Sequence, residues 1–211
     1  KSLAVSYGID NSLRFNDSGY LSFTPSATAT SSKIFTVSCW VKNTANAAEN
    51  RIFTAAEDGA SPQPRTEFAF VGTGQMTIGI NPTGSTWYMA YTTRLFRDPS
   101  AWSHFVWSMD TSQGTPADRS TLYVNGVEIT DFASNSLTGG TSIPQDSTVL
   151  LGQSGMLQTV GAYAAGVSGS PFEGYLAEFY FVDGVEYAPS VFAETSSTTN
   201  QWIPLDSDDV K

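Results

Sequence analysis

Arg97-Asp98-Pro99-Ser100-Ala101-Trp102-Ser103-His104-Phe105-Val106-Trp107-Ser108-Met109-Asp110, followed after a polar loop by Ser120-Thr121-Leu122-Tyr123-Val124-Asn125-Gly126-Val127-Glu128-Ile129, reads as two neighbouring strands. An Asp-Pro turn feeds the first strand and a loop carrying Gly, Pro and Ser separates the two. The second closes on Asn-Gly, the strongest short-range hairpin signal, because a tight hairpin turn needs positive φ at both central residues. Two long adjacent strands make this a sheet protein.

The same alternation recurs outward along the chain. Residues 34–42 form a strand with Phe35, Val37, Cys39 and Val41 on one face, which belongs to the core. Residues 67–71, 75–80 and 85–96, separated by Gly72-Thr73-Gly74 and Asn81-Pro82-Thr83-Gly84, read as a meander, preceded by a short strand at 51–54. Residues 12–15 and 20–23 flank Asn16-Asp17-Ser18-Gly19 and read as a hairpin. Residues 147–152 read as a strand between two small-residue loops at 133–144 and 152–171, and residues 172–184 as the last major strand. Loops of that length inside a compact domain usually carry function. Residues 45–49 are conceivable as helix but too short to stand alone, and 188–193 suits a helical turn.

About a dozen short strands with almost no helical periodicity predict an all-β, antiparallel two-sheet β-sandwich. The length of 211 residues suits one domain over 12–190. Leu3, Val5, Tyr7 and Ile9 alternate in an N-terminal arm, 1–11, that is either a short strand or docked on a neighbour. A C-terminal tail, 191–211, is expected to be extended and docked through Trp202 and Pro204. The chain opens at Lys1 without an initiator Met or a basic-then-apolar leader, as expected of a processed piece of something longer.

Charge narrows the partners. A net charge of -10, with ten Lys and Arg scattered rather than striped, argues against nucleic acid. No apolar run approaches the roughly 20 residues that span a bilayer, so membrane insertion is not expected. Cys39 excludes an intrachain disulfide, being the only cysteine, and it lacks a flanking cation to stabilise a thiolate; it reads as a small core hydrophobe.

Three segments in this order resemble the laminin-G-like, concanavalin-A-like jelly rolls: Phe35-Thr36-Val37-Ser38-Cys39-Trp40-Val41-Lys42; Trp102-Ser103-His104-Phe105 leading to Leu122-Tyr123-Val124-Asn125-Gly126; and Phe172-Glu173-Gly174-Tyr175-Leu176-Ala177-Glu178-Phe179. Ser12-Leu13-Arg14-Phe15-Asn16, Phe96-Arg97-Asp98-Pro99-Ser100-Ala101-Trp102 and the run from Gly174 through Val182-Asp183-Gly184 look most like the variant found in tailed-phage virion proteins, especially marine ones. The resemblance implies a non-enzymatic virion module, in a tail fibre, tail-associated protein or capsid-surface decoration on the extracellular particle. Its implied partners are host surface glycans, other virion proteins and further copies of itself. The alternative is a purely structural virion component that makes subunit contacts and binds no sugar.

The chemistry-bearing residues fit that picture. Glucanases on this fold set carboxylates at alternate positions of one strand, and retaining or inverting hydrolysis needs two of them about 5–10 Å apart. No such pattern occurs: Glu57-Asp58 is adjacent in a turn and Glu178 stands among aromatics. His104 could be set with Asp98 or Asp110 in a triad, but no nucleophile elbow accompanies it, and the resemblance makes it framework. Trp87, Tyr88, Tyr91 and Tyr163 are the candidates for stacking on sugar rings. No cofactor is required. Calcium would need converging hard oxygens, for which Asp17, Asp58 and Asp183, with Asp110 and Asp118, are the turn-borne candidates. Where broader members of the family carry Asp after the Gly-x-Leu of the last strand, this chain has Ala177, which weakens a ligand there.

Overall fold

A computed structural model describes residues 9, 11–16, 18–44, 49–57, 63–164 and 171–210. Alternation decides the architecture. Strands β3 (Ile34–Asn43) and β8 (Ser103–Asp110) pair antiparallel, with Phe35 opposite Met109, Val37 opposite Trp107 and Cys39 opposite Phe105. All six side chains face inward and are buried. Around this pair runs a six-stranded sheet in the order β1 (Leu13–Asn16), β13 (Glu173–Asp183), β3, β8, β9 (Ser120–Val124), β10 (Val127–Glu128). Facing it is a seven-stranded sheet in the order β11 (Phe132–Asn135), β7 (Tyr88–Leu95), β6 (Gln75–Asn81), β5 (Arg65–Val71), β4 (Glu49–Ala56), β12 (Leu157–Val160), β2 (Leu21–Phe23). Helix is confined to single 3-10 turns at Pro116–Arg119 and Pro189–Val191 among the described residues. The protein is the expected antiparallel jelly-roll sandwich.

The core is where the two inner faces meet. Phe53, Phe68, Phe70, Met76, Ile78 and Ile80 of the seven-stranded sheet pack on Phe35, Phe105 and Trp107. Edge-to-face contacts recur, as in Phe35–Trp107 at 4.9 Å and Phe70–Phe105 at 5.8 Å between centroids, the arrangement that ring quadrupoles favour. The buried indole N–H of Trp107 donates to Ser120 Oγ at 2.9 Å, so the largest core side chain carries no polar penalty.

Four details differ from the sequence reading. Residues 12–23 do not form a hairpin: β1 pairs with β13 in one sheet and β2 with β12 in the other. The turn residues bend the chain across the edge of the sandwich, where each short strand finds a longer ladder than it would in a pair of its own. Residues 147–152 are not a strand. Val149, Leu150 and Leu151 are all buried with no alternation to suit a sheet; the amide of Val149 is satisfied by Ser32 and that of Leu150 by Thr66 Oγ1 instead. The strand lies later, as β12, inside what read as a small-residue loop. Finally, the tail is not simply extended but folds back as a hairpin of β14 (Ala193–Thr195) and β15 (Trp202–Pro204). The helix considered at 45–49 falls on residues 45–48, outside those described, and of the arm at 1–11 only Ile9 and Asn11 are described.

One bulge sets the parity of the last strand. Along β13, Ala177 pairs with Trp40 and Tyr180 with Ser38, so three steps on one strand match two on the other. Glu178, at φ 45°, is the extra residue. It allows Leu176 before it, and Phe179 and Phe181 after it, to contact the same core.

The expectation that the tail docks through Trp202 holds, and His104 is what it docks on. On the outer face of the six-stranded sheet, His104 lies opposite Trp40 in register and stacks on it at 5.1 Å. Trp202 donates its indole N–H to His104 Nδ1 at 3.0 Å. Because Nδ1 accepts, the ring proton sits on Nε2, which donates to Ser38 Oγ at 2.8 Å. Asn125 holds the His104 backbone from both sides, through its N–H to the His104 carbonyl and its Oδ1 to the His104 N–H, each at 2.8 Å. The next residue, Gly126 at φ 77°, leaves the room that Trp202 fills: a Cβ there would stand 2.9 Å from the indole.

Burial lowers the His104 pKa from 6.5 to about 3. The unfolded chain takes up a proton near 6.5 that the folded protein refuses, so stability is lost as pH falls from 6.5 towards 3, on the order of 4 kcal/mol over the window. A His104→Gln variant is expected to start less stable at neutral pH and to show a flatter stability curve between pH 6.5 and 4 in urea titrations. An unchanged slope would exclude His104 as the acid-sensitive group.

Candidate functional site

The seven-stranded sheet has a second face, and its composition is unlike the first. Strand alternation that turns Phe68 and Phe70 of β5 inward turns Arg65, Glu67 and Ala69 outward; in β6 it turns Thr77, Gly79 and Asn81 outward, and in β7 Met89 and Tyr91. A bulge at Ile52 in β4 keeps Phe53 opposite Phe68 while leaving Arg51 opposite Ala69 on the outer face. Pairing then assembles the face. Thr54 lies beside Glu67 and Gly79 beside Met89; Arg65 lies beside Asn81 and Thr77 beside Tyr91.

Guanidinium groups and rings interleave across it. Arg65 lies over the Trp87 ring at 4.1 Å and over the Tyr163 ring at 5.3 Å, and Arg51 lies over Tyr163 at 4.6 Å. The Tyr163 hydroxyl accepts from Arg65 Nη1 and donates to Gln63 Oε1 at 2.7 Å. Arg51 pairs with Glu49 at 2.6 Å and, out of hydrogen-bond alignment, with Glu67 at 3.5 Å. Each cation–π contact contributes about 0.5–2 kcal/mol.

Polar groups on this face are left over. Among the described residues nine buried side-chain nitrogen or oxygen atoms lack a hydrogen-bond partner, and five of them lie here: Arg51 Nε, Arg65 Nε, Glu67 Oε2, Thr77 Oγ1 and Asn81 Oδ1. An unsatisfied buried polar group costs about 1–3 kcal/mol, so a cluster of them on one sheet face calls for an explanation.

The sequence candidates separate on this geometry. Trp87, Tyr91 and Tyr163 come together on the outer face. Tyr88 turns the other way and packs against the core. Asp17 and Asp58 lie outside the described residues. Asp183 turns its two carboxylate oxygens to the backbone N–H groups of Thr30 and Ser31, while Asp110 accepts from Ser112 and Gln113. No group of three His, Cys, Asp or Glu that could hold a metal ion occurs among the described residues. His104 has both ring nitrogens engaged by Ser38 and Trp202, so neither Asp98 nor Asp110 partners it. Burial pushes the Cys39 thiol well above the ordinary range, as a core thiol requires.

Sequence reasoning missed Arg51, Arg65, Glu67, Thr77 and Asn81. A signal was there: charged residues alternate with Phe68 and Phe70 inside an apolar strand, in a chain with few cations. What no spacing shows is that Arg51 and Arg65, on neighbouring strands, converge on one tyrosine from a loop a hundred residues away.

A family model described as concanavalin A-like lectin/glucanases superfamily matches residues 15–191. The chain belongs to this family. Among solved structures, the carbohydrate-binding module CBM40 of the Ruminococcus gnavus IT-sialidase, bound to α2,6-sialyllactose, is similar over 96% of this chain and 97% of its own, at 12% identity and a TM-score of 0.54. Domains LG4-5 of the mouse laminin α1 chain are similar over 97% of this chain and 47% of theirs, at 13% identity and a TM-score of 0.57. The Streptococcus pneumoniae NanB sialidase is similar over 91% of this chain but only 30% of its own, at 14% identity and a TM-score of 0.58. These likenesses establish the shared sandwich. A search of curated proteins finds no match.

Glu67 reports on the face. Burial raises its pKa above the ordinary 4.5, opposed by the charges of Arg51 and then Arg65. The folded protein therefore holds the Glu67 proton more tightly than the unfolded chain does, and stability falls as pH rises from 4.5 through the raised value. Glu67→Gln is expected to gain on the parent across that window in thermal melts at pH 4 and pH 7. A constant difference between the two proteins at both pH values would contradict the shift.

Proposed function

We propose that this chain is a non-enzymatic carbohydrate-binding module whose ligand lies on the outer face of the seven-stranded sheet. The observation that carries the reading is the cluster of buried polar atoms without an aligned hydrogen bond, Arg51 Nε, Arg65 Nε, Glu67 Oε2, Thr77 Oγ1 and Asn81 Oδ1, set beside the rings of Trp87, Tyr91 and Tyr163. Sugars are bound by this combination: apolar C–H faces lean on aromatic rings while fixed polar groups read the hydroxyls. The face carries Glu67 as a buried carboxylate, and Glu67 is engaged with Arg51, which does not make the opposed acid and base of a glycosidase. Binding is proposed to need no metal. The likeness to a sialidase's binding module and to laminin domains supports the reading through the fold.

The setting we propose is a phage virion, with the module displayed on a tail fibre, a tail-associated protein or the capsid surface, facing host polysaccharide. The resemblance of residues 12–16, 96–102 and 174–184 to virion domains supports it. A glycan array of bacterial surface polysaccharides is the test. Retained spots that survive chelation by EDTA and weaken at least tenfold in Trp87→Ala are expected; no spot for the parent protein, with or without calcium, would refute the reading.

A second reading, subunit contact without sugar, is favoured by a separate observation. Where β1 and β2 leave for opposite sheets, Leu13, Leu21 and Phe23 are 54, 51 and 45% exposed, beside a hollow of about 530 Å³ lined by Phe15, Val160, Leu176 and Phe179. Light scattering of the purified chain is expected to show a self-associated species that Leu21→Lys disperses. A monomer at all concentrations would remove this reading.

A further inference from the structure

The outer face carries one guanidinium that no carboxylate among the described residues pairs with directly. Arg51 is answered by Glu49 and Glu67. Arg65 is not: no carboxylate lies within ion-pairing distance of its guanidinium among the described residues. Of its five N–H donors, one reaches a protein acceptor, the Tyr163 hydroxyl. Its Nε is buried and without a hydrogen-bond partner, and its central carbon lies over the Trp87 ring at 4.1 Å and the Tyr163 ring at 5.3 Å. Glu67 stands near enough to feel this charge yet too far to pair with it.

An orphaned guanidinium between two rings is unusual in a chain of net charge -10, where carboxylates outnumber cations two to one. The rings hold the guanidinium plane fixed, which lowers the entropy lost when it engages a planar, bidentate acceptor. Carboxylate is the group that matches this fork in charge and geometry.

We propose that Arg65 is the specificity-determining residue of this face and that it selects a carboxylate-bearing sugar. The sugar carboxylate takes the open edge of the Arg65 guanidinium, and the ring of the same residue or its neighbour leans on Trp87 or Tyr163. Arg51, already neutralised by Glu49 and Glu67, contributes position and not net charge. This inference rests on the carbohydrate reading of the same face and adds the chemical class of its ligand.

Matched pairs of ligands test it on the full chain. Isothermal titration compares tri-galacturonic acid with its methyl ester and 3′-sialyllactose with lactose, and adds a sulfated oligosaccharide to separate carboxylate from negative charge in general. At least one acid is expected to bind tenfold or more tightly than its neutral counterpart and than the sulfated sugar. Arg65→Gln should abolish that ratio by weakening the acid at least tenfold more than the neutral sugar, and Arg65→Lys should keep a part of it, since a point charge replaces a fork. Equal binding of acid and neutral sugars by the parent protein overturns the inference and leaves the carbohydrate reading standing. So does an Arg65→Gln variant that weakens both alike, which would make Arg65 only a support for Trp87 and Tyr163. Binding of the sulfated sugar as tightly as the acid overturns the choice of carboxylate. Absence of binding to every sugar overturns the carbohydrate reading and this inference with it.

Discussion

The register between β3 and β8 is the constraint on which the rest of this structure depends. Val37 opposite Trp107 and Cys39 opposite Phe105 put Phe35, Val37, Cys39 and Val41 of β3 and Phe105, Trp107 and Met109 of β8 on one side. The same register necessarily puts Trp40 opposite His104 on the other. Since side chains alternate with a period of two, a slip of one residue would bury His104 and Ser38 in the aromatic core and expose Phe105 and Trp107. Truncating Phe105 or Trp107 to Ala would cost about 3–5 kcal/mol, which is large against the marginal stability of a domain. The core therefore fixes the register, and the register delivers the docking platform for Trp202 at no further cost.

The two sheets divide the work. The six-stranded sheet uses its outer face to bind the chain's own C-terminal hairpin, through a histidine kept neutral by burial. The seven-stranded sheet leaves its outer face to charged and aromatic side chains, with Arg51, Arg65, Trp87 and Tyr163 stacked in alternation. That face is held by structure on both sides: β4, β5 and β6 are interior strands of their sheet, paired on both edges. Side chains standing on them are fixed in a way that residues of free loops are not, and prepositioned polar groups bind at lower entropic cost. Leaving donors there without partners lowers stability.

Irregularities position what regular strands could not. The extra residue at Glu178 restores the inward parity of Phe179 and Phe181 after Ala177 has faced Trp40. The extra residue at Ile52 lets Phe53 fill the core while Arg51 stays on the outer face. Without the second, Arg51 and Thr54 would not share a face. Both bulges lie in strands with partners on either side.

The sequence by itself determined the fold class and much of its core. Alternating Phe35, Val37, Cys39 and Val41, the Asn125-Gly126 turn and the order of three strand motifs were legible because local φ/ψ demands and side-chain periodicity are properties of short segments. His104 as framework was legible for the same reason, its place in a strand being part of the family pattern. Three of the four candidate aromatics, Trp87, Tyr91 and Tyr163, share the outer face, but Tyr88 could not be told from Tyr91, because the face each takes depends on where β7 pairs. Partner choice was also beyond reach for 12–15 and 20–23, which look like a hairpin locally and join opposite sheets, and for 147–151, whose unbroken apolar run plugs the core without a ladder. Arg51, Arg65 and Glu67 emerge as a unit only when β4 and β5 lie side by side beneath Tyr163. Such convergence comes from long-range pairing, whose energy is spread over the whole sandwich and leaves no mark in any one stretch of chain.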